Sequence, residues 1–169
     1  MSIQSVCVFC GASPGLNPAY RFAASELGKF FGNNGIQLVY GGGGTGLMGI
    51  VADSVLETGG EVTGVIPDYL QGRELGHQKL TRLEVVSSMH ERKRRMFDLA
   101  DGIVVLPGGV GTLEEALEVI TWKQLGMHNK PIVILNVENY WQKLDELIAA
   151  TIENGFAAPP TRELYELIN

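Results

Sequence analysis

Ile103-Val104-Val105-Leu106-Pro107-Gly108-Gly109-Val110-Gly111-Thr112 is the stretch that decides the fold. Its first four residues are apolar and mostly β-branched, the composition of a short strand buried on both faces. Pro107 interrupts the strand ladder, the glycines turn the chain, and from Thr112 the apolar spacing becomes helical, predicting a helix over 112–125. A buried strand that passes through a glycine turn directly into a helix is part of a βαβ unit, and such units build parallel sheets.

The same unit recurs along the chain. Ser5-Val6-Cys7-Val8-Phe9 reads as a strand that leads through Gly11-Ala12-Ser13-Pro14-Gly15 to Asn17-Pro18, where Asn caps a helix and Pro fits its first position; that helix should reach about residue 31. A strand over 36–40 runs into Gly41-Gly42-Gly43-Gly44-Thr45-Gly46 and then a helix to 57. A third strand is expected over 61–66, closed by Pro67, while 68–82 has no clear period and reads as an active-site loop. A short strand over 83–86, helices over 89–100 and 140–152, and a strand over 132–135 complete the pattern. The expectation is an α/β fold: one doubly wound, Rossmann-like parallel sheet with helices on both faces, forming a single domain over 1–169.

Composition narrows the function. With 45% hydrophobic and 19% charged residues the chain suits a packed core, and its formal charge of −6 offers no general attraction to nucleic acid or to an anionic membrane. A bound phosphate must be held by local geometry, which favours a small-molecule ligand. Cys7 and Cys10 share one apparent strand and read as core thiols rather than as a redox pair, which would open a helix. The N-terminus lacks the pattern of a secretory signal and no apolar run approaches a membrane span, so the cytoplasm is the expected location. His77, His90 and His128 have no metal-ligand spacing, and no metal is expected.

Three elements carry candidate chemistry. The segment 41–46 fits G-x-G-x-x-G between a strand and a helix, where backbone amides can face a phosphate or ribose; yet the strand that follows ends at Pro67 without the acid a dinucleotide ribose would need. The glycine turn 107–112 likewise opens a helix, and Glu115 stands one turn in, a carboxylate aimed at whatever sugar lies beside the phosphate. Thr112-Leu113-Glu114-Glu115 is also a capping box, with Thr112 and Glu115 exchanging backbone bonds, and local sequence alone favours that reading. The third element is Met89-His90-Glu91-Arg92-Lys93, which begins a helix whose apolar stripe includes Lys93 and is flanked by Arg92. Burying these cations requires an anion nearby, either a ligand phosphate or an acid such as Glu74 or Glu115. Glu91, Arg94, Arg95 and Asp98 point elsewhere.

The combination of Met89-His90-Glu91-Arg92-Lys93 with Pro107-Gly108-Gly109-Val110-Gly111-Thr112-Leu113-Glu114-Glu115 resembles the LONELY GUY family of cytokinin riboside 5′-monophosphate phosphoribohydrolases, often labelled lysine decarboxylases. The resemblance extends to 9–15, 40–43 and 118–122. It implies a catalytic pair on Arg92 and Glu115 and substrate contacts at Glu74, Lys93, Gly108, Gly109, Val110, Gly111, Thr112, Leu113, Glu114 and Thr121. Ser13, Gly43 and Gly44 in the other two glycine turns join the substrate-binding candidates. It further implies a homodimer with composite sites and no cofactor; no lysine sits in a recognisable pyridoxal phosphate context. Val110 departs from the aromatic residue of plant members, and the tail from Pro159 is shorter.

The expected reaction is hydrolysis of the N-glycosidic bond of a purine nucleoside 5′-monophosphate, AMP or an N6-modified relative, to free base and ribose 5-phosphate. Glu115 stabilises the cationic ribose, activates water or binds the ribose hydroxyls, and Arg92 anchors the phosphate or orients Glu115; sequence leaves these roles open. The alternatives are a non-catalytic nucleotide-binding or carrier protein of the same fold, and a nicotinamide-dependent oxidoreductase, which the missing ribose-binding acid weakens.

Overall fold

In the computed structural model, which describes residues 2–71, 77 and 79–169, seven parallel strands form one sheet in the order β4-β3-β2-β1-β5-β6-β7. The strands are β1 (Ser5–Phe9), β2 (Gln37–Tyr40), β3 (Val62–Pro67), β4 (Arg82–Val86), β5 (Gly102–Val105), β6 (Ile132–Leu135) and β7 (Glu166–Ile168). The helices are α1 (Pro18–Asn33), α2 (Gly46–Glu57), the single turn α3 (Asp68–Gln71), α4 (Met89–Asp98), α5 (Val110–Gln124) and α6 (Gln142–Glu153).

β1 is buried along its whole length because both faces are covered. Cys7 and Phe9 pack with Met96 and Phe97 of α4, Ala116 and Val119 of α5 and Leu144 of α6. Val6, Val8 and Cys10 pack on the other side with Ala24 and Phe31 of α1 and with Leu47 and Val51 of α2. Alternate residues of one apolar strand thus serve two cores, as expected of a parallel sheet covered on both faces. Asn17 caps α1 through its side chain, which accepts from the Ala19 amide at 2.9 Å, and Pro18 occupies the first helical position.

The chain winds outward from β1 to β4, then crosses back to lay β5 on the other side of β1. Beyond the carboxyl ends of β1 and β5 the connecting turns therefore diverge, and a crevice opens there.

Several local expectations are corrected. Helix α5 begins at Val110 rather than at Thr112, with Gly109 as its cap residue and no side-chain cap bond. Thr112 is buried inside the first turn, its hydroxyl folded over Gly108, so the capping box does not form. Part of the expected loop 68–82 is helical at α3, Pro67 belongs to β3 and Arg82 already belongs to β4. The region from 136 holds a 3-10 turn, Val137–Asn139, before α6, and the edge strand β7 was not expected at all. Glu74 lies outside the described residues.

Candidate active site

The crevice contains a cleft of ≈ 470 Å³. Its walls are the turn after β1, including Gly11 and Ser13, the turn after β5 with Gly108 and Gly109, the first turns of α5 with Gly111, Thr112 and Glu115, and Arg92 and Met96 from α4. Arg92 and Glu115, 23 residues apart in sequence numbering (115 − 92), line the same cleft.

Arg92 is 5% exposed, and the structure fixes its guanidinium from below. Its Nε donates to the Val65 carbonyl at 3.1 Å and its Nη2 to the Gly41 carbonyl at 2.8 Å, so carbonyls of β3 and of the turn after β2 hold it at the floor of the crevice. A buried guanidinium tied to two carbonyls is a fixed positive charge rather than a swinging clamp. A side chain at position 41 is incompatible with this arrangement: a Cβ there would stand 2.0 Å from Arg92 Nη2. Gly41 therefore has a role that its place in a glycine run disguised.

Glu115 is half-buried and stands one turn into α5, at the side of the cleft. Burial pushes the Cys10 thiol well above its usual range, and the Glu115 carboxylate pushes it further, as both do for Cys7. The two free thiols are buried core groups, as the sequence indicated.

The two glycine turns differ in their amides. At α2, the Leu47 and Met48 amides both donate to the Gly11 carbonyl, at 3.0 and 3.3 Å. At α5 the first intrahelical bond is Leu113 to the Gly109 carbonyl, and the amides of Val110, Gly111 and Thr112 have no acceptor within the helix. Val110 and Gly111 are exposed. The open α5 end, with three donors lacking helical acceptors and the positive end of the dipole, is the one suited to an anion, and Gly109, Gly111 and Thr112 there line the cleft. Gly43 and Gly44, by contrast, are not among the residues that line the cleft.

Lys93 is placed differently from its neighbour. Its Nζ donates to Glu114 at 2.5 Å and to Glu118 at 3.0 Å, which are one turn apart on α5. Burial disfavours the ammonium, but these two carboxylates outweigh it and raise the Lys93 pKa. The buried cation thus has the anionic partners that its position demanded, supplied by Glu114 and Glu118. With Val110, Leu113, Leu117, Thr121 and Trp122, these two glutamates line a shallow depression on the outer face of α5, apart from the cleft. The structure therefore brings Ser13, Gly108, Gly109, Gly111, Thr112, Arg92 and Glu115 together, and puts Val110, Leu113, Glu114 and Thr121 on another surface.

Tyr20 and Tyr140 also line the cleft and escaped the sequence reading. Tyr140 was assigned to the start of a helix; its hydroxyl donates to the Gly108 carbonyl at 2.6 Å, and its ring meets Tyr20 edge-on with centroids 5.5 Å apart. No local signal announces a contact across that distance in sequence.

Residues 48–169 match the family described as "Possible lysine decarboxylase". Over 161 residues the chain is 48% identical to the rice (Oryza sativa subsp. japonica) protein named "Probable cytokinin riboside 5'-monophosphate phosphoribohydrolase LOGL5", covering 95% of this chain and 65% of that one. It is 46% identical to the cytokinin riboside 5'-monophosphate phosphoribohydrolase LOG1 of Arabidopsis thaliana, over 97% of this chain and 79% of that one. The chain belongs to the LONELY GUY family. As a LONELY GUY protein it also shares its fold with more distant solved structures. The molybdenum cofactor binding protein of Rippkaea orientalis superposes with a TM-score of 0.72 at 16% identity, over 100% of this chain and 91% of that one. The molybdenum cofactor carrier protein of Chlamydomonas reinhardtii gives 0.69 at 18%, over 98% and 89%. At such identities the likeness is one of fold, and what the LONELY GUY site does must be argued from the site.

Proposed function

We propose that this protein hydrolyses the N-glycosidic bond of purine nucleoside 5′-monophosphates, adenine or N6-modified adenine, releasing the free base and ribose 5-phosphate. The observation that carries the reading is that Arg92 and Glu115, on separate helices, line one cleft beside the open end of α5. The names of the relatives, cytokinin riboside 5′-monophosphate phosphoribohydrolases, support it. The chain is then an N-glycosyl hydrolase in one domain over 1–169, acting in the cytoplasm as a homodimer and without a cofactor; among the described residues no helix is long and apolar enough to cross a membrane.

The geometry suggests a division of labour. The amides of Gly109, Gly111 and Thr112 hold the 5′-phosphate, as first-turn amides and the helix dipole favour a dianion. The ribose then lies one turn along α5, at Glu115. As the bond from C1′ to the base nitrogen lengthens, its electrons leave with the base and positive charge spreads over C1′ and the ring oxygen; the carboxylate stabilises that charge. Water adds to C1′, the base takes up a proton, and the products separate. Arg92, pinned to the floor, keeps a fixed charge that positions the carboxylate, while phosphate binding remote from C1′ contributes to the rate. Ser13 and Glu74 are further substrate contacts; Glu114, held by Lys93 of α4, contributes with Val110, Leu113 and Thr121 from the outer face of α5, where a second subunit completes the site.

The test is base release, followed by chromatography, from AMP and from N6-isopentenyladenosine 5′-monophosphate. Release of base with stoichiometric ribose 5-phosphate is expected, and the ratio of the two rates identifies the preferred base. Nucleotide binding without release would favour a carrier instead.

A further inference from the structure

The peptide between Gly108 and Gly109 lies between two residues without a Cβ, and so its plane can rotate at little steric cost. In a trans peptide the carbonyl and the N–H point in opposite directions. A flip of this peptide would replace the Gly109 N–H with the Gly108 oxygen, placing a lone pair where the reading above puts a phosphate. The peptide is packed on its Gly108 side, where a Cβ would stand 2.1 Å from Thr112 Oγ1, and open on its Gly109 side, where a Cβ would meet no atom within 4 Å. The turn needs a latch from elsewhere.

Tyr140 supplies one from 32 positions away: its hydroxyl donates to the Gly108 carbonyl at 2.6 Å. The segment that delivers it is costly to build. Glu138 and Asn139 are both left-handed, with φ of 53° and 59°, a conformation that non-glycine residues seldom adopt and that persists where surrounding structure enforces it. The enforcement is visible at Asn136, which is buried. Its side-chain oxygen accepts from the Trp141 amide at 2.8 Å, its side-chain nitrogen donates to Asn169 Oδ1 at 2.8 Å, and its backbone amide donates to the Ile168 carbonyl at 2.7 Å. Edge-on contacts to Tyr20 and Trp141, at 5.5 and 4.8 Å, hold the ring of Tyr140 from two sides.

We infer that Tyr140 is a positioning residue for phosphate recognition: its hydroxyl locks the Gly108–Gly109 peptide so that the Gly109 amide, not the Gly108 carbonyl, faces the 5′-phosphate. The inference rests on the phosphate site proposed above. It extends that site to the chain after β6, which the catalytic pair does not involve.

Tyr140→Phe removes the hydroxyl and keeps both ring contacts. Wild type and variant are compared by titration calorimetry with ribose 5-phosphate, by kcat and KM for AMP, and by melting temperature. The lock predicts that the Kd for ribose 5-phosphate and the KM for AMP rise together by about five- to tenfold, the factor associated with one net hydrogen bond, while the melting temperature stays close to wild type. Equal ribose 5-phosphate affinity in the two proteins overturns the inference, as does a loss confined to kcat or to melting temperature. Failure of the proposed reaction reads differently: the wild type then releases no base from AMP, and the ribose 5-phosphate titration still decides for or against the lock.

Discussion

Two glycine-rich turns leave the same sheet edge and open helices in the same direction, yet one is closed and the other open. After β2, the turn 41–46 is folded against the turn after β1: α2's first amides are consumed by the Gly11 carbonyl. Gly46, with φ of 63°, lies so close to Ala12 that a Cβ would stand 2.2 Å from its carbonyl carbon. After β5, the turn 107–111 leaves the first amides of α5 without helical acceptors, and side chains at Gly109 or Gly111 would meet no atom within 4 Å. Glycine is thus used for close packing at Gly46 and, on the other side, at Gly108, whereas Gly109 and Gly111 give access to backbone. A G-x-G-x-x-G pattern does not distinguish these uses, whereas the destinations of the amides do.

The comparison breaks first at Gly46. Gly46→Ala combines a left-handed backbone with a direct clash against backbone atoms, and should destabilise the protein by about 3 kcal/mol or more, read as a lower midpoint of urea unfolding. If the variant unfolds like wild type, the turn after β2 is not the packed element described here. Gly41→Ala should act on chemistry instead: its Cβ displaces the Arg92 guanidinium, and kcat should fall by about a hundredfold with a much smaller loss of stability. Normal turnover in that variant would mean that Arg92 is not held by Gly41 in the working enzyme.

Gly111→Ala sharpens the contrast from the open side. The position is helical, exposed and spacious, so alanine should stabilise by about 0.5–1 kcal/mol while a methyl group beside the phosphate amides raises KM for AMP. A more stable protein with unchanged KM would separate α5 from phosphate binding. Lys93 gives the smallest effect. Because its pKa is raised on folding, its ion pairs with Glu114 and Glu118 contribute fully below the unfolded value near 10.5, and the contribution is lost as pH climbs through the higher folded value. The stability difference between wild type and Lys93→Met should therefore be flat from pH 7 to 10 and shrink above that range. A change near neutrality would assign the linkage to another group.

Legibility in the sequence followed the range of the interactions. Strands such as Ser5–Phe9 and helix starts such as Asn17-Pro18 were readable because burial on both faces and capping are written in neighbouring residues. The start of α5 was misplaced because Thr112 and Glu115 have capping-box spacing, and the extended backbone of Gly109 had already capped the helix three residues earlier. β7 has three residues and exists by pairing with β6, Val133 opposite Glu166, which no local pattern encodes. At the site, Arg92 was visible as a cation flanking an apolar stripe and Glu115 as a carboxylate one turn past a glycine loop, while their pairing came from the family resemblance. The partners of Lys93 required knowing how α4 docks on α5, and the contact from Tyr140 to Gly108 required the left-handed turn after β6.

The most direct test of the central claim compares Glu115→Gln with wild type for kcat on AMP and for melting temperature. The site described here predicts a fall in kcat of about 100- to 1,000-fold with a melting temperature near that of wild type, since Glu115 lines the cleft and α5 is capped at Gly109 without a side-chain bond. Turnover within a few-fold of wild type, or a variant whose main defect is a lowered melting temperature, would contradict it.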